Sequence, residues 1–266
     1  KLRSLMKEAE GGNLDVRYEG HHEDEISYLG KSFNNMIERI QKLIDIVYHE
    51  QQSKREAELK ALQEQIKPHF LYNTLDTIQW MAQDHKADDI VEIVAALTNL
   101  FRIGLSRGKE IISLRDEFEH VRSYLIIQKA RYEDKFDFTL SIADDVLALM
   151  VLKLTLQPLV ENAIYHGIKE RQGHGTIRVE AIKRDGMLVL RVTDDGAGMP
   201  PAKLVAVRSL LSEGPGEPTG SVGYGISNVN ERIQLSFGLK YGLRFESEPG
   251  RGTSVELLHP LIYEED

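Results

Sequence analysis

The sequence predicts a multidomain protein in which an α-helical N-terminal half precedes an α/β C-terminal domain. The composition changes near residue 135. Before that point the chain has long stretches without glycine and a single proline, Pro68; after it come β-rich runs, glycine clusters and the other seven prolines. The length of 266 residues agrees with this division, because a folded domain commonly takes roughly 150 residues.

Composition excludes several classes of function. The 33 Lys and Arg residues against 42 Asp and Glu give a net charge of −9, so we expect no nucleic-acid partner. The chain has no cysteine, which excludes disulfides, thiolate catalysis and cysteine-based zinc sites. The longest apolar run, residues 146–152, has seven residues, far short of the ~18 that a membrane span needs.

Helical patterns fill the N-terminal half. A short amphipathic segment ends at Gly11 and Gly12, an irregular connector covers 13–22, and a second helix begins near Asp24. From there apolar residues recur at steps of three and four as far as Ile78. Such a long stripe predicts a parallel coiled coil, and therefore a homodimer, with an ordinary amphipathic helix as the alternative. A returning helix is predicted over 88–105, after a polar turn at 84–87.

The first helix, connector and second helix together resemble a HAMP signal-transmitting module. The residues that carry the resemblance are Asp24, Glu25, Ile26, Leu29, Phe33, Asn34 and Met36. It covers residues 1–45, with the first helix clipped at its start. HAMP modules usually follow a transmembrane helix. The resemblance therefore implies a bacterial cell-membrane protein, anchored upstream of Lys1, of which this chain is a cytoplasmic portion.

The C-terminal domain alternates between strand and helix patterns. We predict strands over 136–142, 176–183, 187–193, 241–247 and 253–259, helices over 153–168 and 226–237, and a loop rich in Gly and Pro over 213–225. The second and third strands should form a hairpin around residues 184–186.

Three glycine clusters indicate a nucleotide site, although each alone has an ordinary explanation. Asp194, followed by Gly196 and Gly198, ends a strand; its carboxylate can accept a hydrogen bond from an amine such as that of adenine, but a plain turn is equally typical. The cluster at 220–225 runs into a helix, whose N-terminal N–H groups suit phosphate, or it merely punctuates loop and helix. The third, 249–253, could be only a hairpin.

With residues 156–163, however, the clusters stand in the order found in the GHKL ATPases, whose α/β sandwich is the Bergerat fold. The resemblance implies binding of ATP and Mg²⁺. Its implied roles are Mg²⁺ ligation by Asn162, adenine recognition by Asp194, admission of the ring by Gly196 and Gly198, phosphate contacts by Gly223 and Gly225, and an ATP lid over 211–222. Thr253, in the last glycine cluster, is a further candidate for nucleotide contact. Ser221 stands where the usual motif has its first glycine.

His69 is the candidate nucleophile. It follows Pro68 within a helical pattern, and proline inside a helix costs ~3 kcal/mol. Violations of this kind tend to mark functional sites. At 100° per residue, His69 lies at the edge of the apolar stripe, where it would be accessible. A lone histidine on a helix is usually only a solvated side chain, but the proline and the nucleotide motifs favour a functional role.

The stretch from Leu59 to Ile78, with its Pro-His-Phe-Leu-Tyr-Asn block, resembles the phosphoacceptor helix of LytS/YesM-type sensor histidine kinases, and the resemblance covers nearly the whole chain. It implies that His69 takes the γ-phosphoryl group of ATP and passes it to an aspartate of a response regulator. Phe70 stands where many histidine kinases carry an acidic residue. Asn73 can orient the imidazole. Glu161 is either the general base or a solvated carboxylate, and His166 either touches phosphate or is structural.

The resulting interpretation divides the chain into a HAMP module (1–45), a helical dimerisation and phosphotransfer region (46–132) and a GHKL-type ATP-binding domain (133–266). The fold class is thus a dimeric helical coiled coil or bundle followed by an α/β sandwich. Two other functions remain open: a GHKL ATPase that acts as a conformational clamp without histidine phosphorylation, and a signalling adaptor that binds nucleotide without turnover.

Overall fold

A computed structural model describes residues 2–19, 25–26, 28–43, 68–104, 110–132, 135–212 and 224–264. The chain forms two compact units, residues 1–67 and 68–266. Much of the predicted coiled coil lies outside the described residues, as do Ser221, Gly223 and most of the predicted lid.

Within its described residues, the first unit contains two helices and a connector, as predicted. Helix α1 is Leu2–Glu10, and helix α2 covers 28–43. Gly12 ends α1 with φ +96°, a conformation that favours glycine. Val16 of the connector packs with Phe33 and Ile37 of α2 in a small apolar core.

Two residues explain how the connector attaches to α2. The Asn34 side chain donates to the Tyr18 carbonyl (3.0 Å) and accepts from the Tyr18 N–H (2.8 Å). A Cβ on Gly30 would lie 2.0 Å from the Tyr18 ring, so only glycine fits there. The connector is therefore irregular in conformation but fixed in position.

The second unit begins with a helical hairpin. Helix α3 is Pro68–Asp84 and helix α4 is Asp88–Gly104. Lys86 turns the chain between them with φ 53°, in agreement with the predicted polar turn. Leu75 and Ala82 of α3 are buried, as are Val94 and Ala96 of α4, because the two apolar faces pack against each other.

Helix α5, Leu114–Arg131, joins this hairpin to the α/β part. Ser113 caps its N-terminus by accepting from the Asp116 N–H at 3.0 Å. Its apolar residues belong to the same core as the sheets: Leu114, Phe118, Val121, Tyr124 and Leu125.

A five-stranded sheet forms the centre of the α/β part, in the order β2-β4-β5-β7-β6. The strands are β2 Phe136–Ile142, β4 Gly175–Arg184, β5 Met187–Asp194, β6 Gly242–Glu248 and β7 Gly252–His259. The parallel pairing of β2 with β4 is the exception in an otherwise antiparallel sheet. The predicted hairpin is confirmed: Asp185 (φ 53°) and Gly186 (φ 72°) form its two-residue turn.

The sequence analysis missed a small second sheet, β1-β3-β8, made of Ile111–Ser113, Leu149–Leu152 and Ile262–Tyr263. These strands have two to four residues, too few for an alternating pattern to show. A one-turn 3₁₀-helix, Asp144–Val146, precedes β3.

Three helices cover one face of the larger sheet, and their bounds correct the sequence predictions. Helix α6 is Leu156–Asn162 and continues as a π-helix, Ala163–Ile168. The predicted start at 153 was wrong, because Leu154 has φ 58° and the chain turns there. Helix α8, Tyr224–Phe237, begins two residues earlier than predicted.

Helix α7, Pro201–Ser212, was not predicted at all. Leu211, assigned to the lid from sequence, is buried in this helix within the core, so the predicted lid began too early. In the part of the chain that the structure describes, no helix is both long and apolar enough to cross a membrane.

Candidate nucleotide and phosphoacceptor sites

Three glycine-containing segments meet at the end of strand β5. The Ala197 N–H donates to the Gly167 carbonyl at 3.0 Å, and the Gly250 N–H donates to the Ala197 carbonyl at 2.7 Å. A Cβ on Gly196 would lie 2.2 Å from the Gly167 backbone. The absence of side chains therefore lets the π-helix, the end of β5 and the β6–β7 turn pack backbone to backbone.

Asp194 lies in the middle of this junction and is 5% exposed. Its Oδ1 accepts from the Gly196 N–H at 2.9 Å, and the Thr253 N–H also donates to the carboxylate. A Cβ on Gly167 would lie 2.4 Å from Oδ1. Burial raises the pKa of Asp194 to about 6, so the carboxyl group retains an unmet demand for a further donor when it ionises.

Asp195, the next residue, has a different environment. Its side chain is about half exposed, and its Oδ1 pairs with Arg171 (2.9 Å) and accepts from the Thr176 N–H (2.7 Å). Arg171 also donates to the Asp195 carbonyl. These contacts hold the segment after the π-helix against the sheet. Asp195 is therefore engaged by Arg171 and Thr176, whereas Asp194 faces the glycine junction.

Gly198 and Thr253 complete the floor of the junction. Gly198 has φ +69°, and a Cβ there would lie 2.0 Å from the Glu248 carbonyl oxygen. The Thr253 Oγ1 lies 2.9 Å from the Ser247 Oγ, which also accepts from the Met199 N–H at 2.8 Å. Both residues predicted as nucleotide contacts thus also fix the β6–β7 turn beneath Asp194.

Helices α6 and α8 bring the predicted phosphate and metal residues near each other. A Cβ on Gly225, in the first turn of α8, would lie 3.5 Å from the Cβ of Pro158. Pro158 and Asn162 are one helical turn apart and share a face of α6. The N-terminus of α8, the positive end of its dipole, therefore lies along the face of α6 that carries Asn162.

The donor set at Asn162 fits a magnesium ion that also binds phosphate. Asn162 is partly buried, and its side chain has no hydrogen-bond partner among the described residues. An amide oxygen is a suitable Mg²⁺ ligand when phosphates supply the charge. No group of three or more histidine or acidic residues that could hold a metal ion occurs within the described ranges.

Glu161, next to Asn162, is held by two neighbours. The Gln157 Nε2 donates to its Oε1 at 2.8 Å. Tyr124 of α5 also hydrogen-bonds its carboxylate; burial, then the charge of Glu161, raise the pKa of Tyr124. His166, in contrast, is exposed on the π-helix and lies 3.5 Å from the Glu170 carboxylate.

His69 lies in the first turn of α3 and is exposed, as predicted. The Asn73 Nδ2 lies 3.4 Å from both ring nitrogens, a long distance for a hydrogen bond. Asn73 therefore contacts the imidazole without saturating either nitrogen. Helix α3 is described from Pro68 onwards, so the prediction that Pro68 stands inside a longer helix concerns residues outside the described part.

Family models match three successive parts of the chain. Residues 1–42 match the HAMP domain, 57–136 the histidine kinase model, and 150–262 the model of histidine kinase-, DNA gyrase B- and HSP90-like ATPases. The sensor histidine kinase YesM of Bacillus subtilis is 39% identical over 259 residues, which is 97% of this chain and 43% of YesM. The uncharacterized protein YwpD of Bacillus subtilis is 33% identical over 248 residues, 91% of this chain and 84% of YwpD.

The chain belongs to the histidine kinase family. It spans less than half the length of YesM. Among solved structures, the histidine kinase domain of the Erythrobacter litoralis EL346 blue-light activated histidine kinase aligns with a TM-score of 0.41 and 21% identity, covering 73% of this chain and 96% of that domain. The predicted resemblance to LytS/YesM-type kinases and the predicted order of a helical part and an α/β sandwich are confirmed.

Sequence reasoning missed several residues that shape the site of this histidine kinase. Gly167 was not named, although a glycine inside a predicted helix often marks a close approach. Glu117, His120 and Gln157 were also missed, and all three lie between α5 and α6. The available signal was the spacing of Glu117, His120 and Tyr124, which places three polar groups on one face of a helix.

Proposed function

We propose that this chain binds ATP at the Asp194 junction, takes its γ-phosphoryl group onto His69, and then passes that group to an aspartate of a response-regulator receiver domain. The observation that carries the proposal is the pairing of two features in one compact unit. One is an exposed histidine on a helical hairpin. The other is a buried, glycine-lined carboxylate with an unmet need for a donor.

The nucleotide half of the proposal rests on complementary chemistry. The adenine amine would donate to the Asp194 carboxylate, while the glycines leave room for the flat ring. The phosphates would lie at the N-terminus of α8, near Gly225 and Gly223, where backbone N–H groups and the helix dipole favour anions. Asn162, on the adjoining face of α6, would bind Mg²⁺, which would offset phosphate charge.

The phosphoacceptor half rests on the chemistry of imidazole. A neutral ring nitrogen of His69 is a nucleophile at cellular pH, because imidazole titrates near neutrality. The nitrogen–phosphorus bond forms as the bond between the γ-phosphorus and the β,γ-bridging oxygen of ATP breaks. ADP departs with that oxygen, and the ring proton leaves to solvent or to a base. Asn73 contacts the ring and would limit its rotation. Phe70 cannot accept the proton.

The contacts of Glu161 support a positioning role more than that of a base. Gln157 donates to one oxygen of its carboxylate and the Tyr124 hydroxyl interacts with the same carboxylate, so both side chains hold Glu161 in one orientation. Its place next to Asn162 suits a group that orients the metal ligand. The exposed His166, near Glu170, would reach phosphate only from the rim of the site.

The assembly proposed for the kinase is a homodimer. Leu29, Met36 and Leu43 recur every seven residues along α2, and each is at least half exposed in the single chain. A heptad stripe that the described residues leave this exposed is typical of a coiled-coil seam. We further propose HAMP, phosphotransfer and ATP-binding parts at 1–45, 46–132 and 133–266, within a membrane-anchored sensor.

Labelling with γ-³²P ATP tests the proposal. The chain should acquire a label that is acid-labile and base-stable, as a phosphoramidate is, and His69→Gln should abolish it while nucleotide affinity changes by less than about threefold. The matched control is His85→Gln, because His85 is an exposed histidine at the other end of α3. Retained label in His69→Gln would contradict the assignment of the phosphoacceptor.

The same incubation separates the two alternative functions. Release of free phosphate without protein label would indicate an ATPase clamp, and nucleotide binding with neither product would indicate an adaptor. Addition of a receiver domain should then remove label from the chain, and an aspartate-to-asparagine receiver variant should not.

A further inference from the structure

A chain of partly buried side-chain hydrogen bonds connects α5 to the residue before Asn162. The His120 Nε2 lies 2.8 Å from the Gln157 Oε1, and the Gln157 Nε2 donates to the Glu161 Oε1 at 2.8 Å. His120 and Tyr124 are one turn apart on α5, as are Gln157 and Glu161 on α6. Two side chains from each helix thus form a ladder across the helix interface.

The ladder has one consistent direction. Glu161, when ionised, can only accept, so the Gln157 amide must present its NH₂ group to Glu161 and its oxygen to His120. His120 must therefore carry its proton on Nε2, where it donates to that oxygen. A rotation of the Gln157 amide would set two acceptors against each other, which the buried site disfavours.

The buried position of His120 leaves one of its two ring nitrogens without a hydrogen-bond partner among the described residues. This histidine is 2% exposed, and the nitrogen without a partner is its Nδ1. A buried acceptor that lacks a hydrogen-bond donor is destabilising. One turn earlier on α5, the Glu117 carboxylate accepts from the N–H groups of Leu154, Thr155 and Leu156, each at 2.8 Å. Glu117 therefore holds the N-terminal end of α6, and the hydrogen bonds that start from His120 extend to the C-terminal end of that helix.

We propose that His120 is a positioning residue that acts through Gln157 on Glu161 and so sets the orientation of Asn162 toward Mg²⁺. The ladder ends on the residue that immediately precedes Asn162 in the last turn of α6, where the helix widens into the π-helix. The helix end needs external support, because a π-turn is less stable than regular α-helix. This inference rests on the proposed role of Asn162.

The test measures nucleotide affinity with Mg²⁺ and in EDTA, using a non-hydrolysable ATP analogue and the full 266-residue chain. The affinity with Mg²⁺ divided by the affinity in EDTA reports the contribution of the metal. His120→Leu should lower this ratio at least fivefold, with affinity in EDTA within about twofold of the unchanged chain. His120→Gln should restore most of the ratio, because its amide nitrogen can reach the place of the ring Nε2.

Two further variants keep the result interpretable. Gln128→Leu is the matched control, since Gln128 is another buried polar residue of α5 with an unpartnered Oε1; it should change the melting temperature but not the ratio. Gln157→Met removes both bonds of the ladder from a partly exposed position, and should lower the ratio even if His120→Leu fails to fold.

Each outcome decides between the proposals. An unchanged ratio in folded His120→Leu or in Gln157→Met, equal losses with and without Mg²⁺, or no rescue by His120→Gln would overturn the ladder's role. If Asn162→Leu lowers the ratio while those variants do not, the metal site stands and the ladder alone is overturned. A ratio of one in the unchanged chain would overturn both the Mg²⁺ role of Asn162 and this inference.

Discussion

At the residue scale, Asp194 and Asp195 are adjacent carboxylates in different environments, and their contacts predict different effects of substitution. Asp194 is buried beside Gly167 and Gly196, while Asp195 is engaged by Arg171 and the Thr176 N–H. Asp194→Asn should weaken adenine-nucleotide binding by about 1.5–3 kcal/mol, the usual contribution of a hydrogen bond to a charged group. Calorimetric titration of both variants checks this. Equal losses, or a larger loss in Asp195→Asn, would contradict the assignment.

The raised pKa of Asp194 also predicts a pH dependence of binding. In the free chain this carboxyl group titrates at about 6, whereas the proposed hydrogen bond from adenine requires the ionised form. Binding must therefore expel a proton below pH 6, and affinity should fall by up to about tenfold per unit as pH decreases. ADP affinities measured from pH 5 to 7.5 test this. The titration of ADP itself affects both proteins equally. The Asp194→Asn curve should therefore keep that effect and lack the additional fall.

At the scale of elements, His259 connects three of them at the end of β7. Its Nδ1 donates to the Pro260 carbonyl (2.8 Å), its Nε2 accepts from the Leu152 N–H of β3 (3.5 Å), and its ring packs edge-on against Phe237 of α8 at 4.7 Å. The bond from Leu152 requires an unprotonated Nε2 and therefore the neutral ring, whereas the bond to Pro260 forms with either protonation state. Burial lowers the pKa of His259 to about 4, so this junction excludes a proton that the unfolded chain accepts.

His259 consequently predicts how stability depends on pH. The unfolded histidine takes up a proton near pH 6.5 and the folded one near pH 4. The contribution of His259 to the free energy of unfolding is therefore complete above pH 6.5 and is lost as the pH falls toward 4. The total loss is about 3 kcal/mol. Urea unfolding between pH 4.5 and 7.5 measures it. His259→Gln should remove this slope, and His85→Gln, an exposed control, should keep it. The raised pKa of Asp194 gives the free energy of unfolding a pH dependence of the opposite sign. That contribution is the same in every variant, so the difference between variants isolates His259. An identical slope in His259→Gln would contradict the prediction.

At the scale of the whole molecule, the exposed heptad stripe of α2 predicts self-association. Burial of apolar surface at ~25 cal/mol per Å² over several heptads outweighs the loss of translational freedom. Met36→Asp would place an unpaired carboxylate in that seam and should dissociate the dimer. Light scattering at micromolar concentration measures the mass, with Lys31→Asp on the opposite face of α2 as the control. A monomer mass for the unchanged chain would remove the coiled-coil argument.

The sequence by itself determined the elements whose signals are local. Period-two patterns and glycine turns marked β2, the β4–β5 hairpin and β7 closely, and the HAMP connector followed from Gly11 and Gly12. It also put forward Asp194 and His69 as candidates from their residue types and neighbours, and Asn162 through the resemblance to the GHKL ATPases. These signals depend on residues a few positions apart, which a single sequence displays directly.

Only the tertiary structure decided features that join distant parts of the chain. The second sheet pairs residues near 111, 150 and 262, and the packing role of Gly196 depends on Gly167, which lies in another element. His120 and Glu161 meet only because α5 packs against α6. Contacts of this kind arise from close packing of surfaces whose partners are separated by dozens of residues, and a local pattern cannot specify which surfaces will meet.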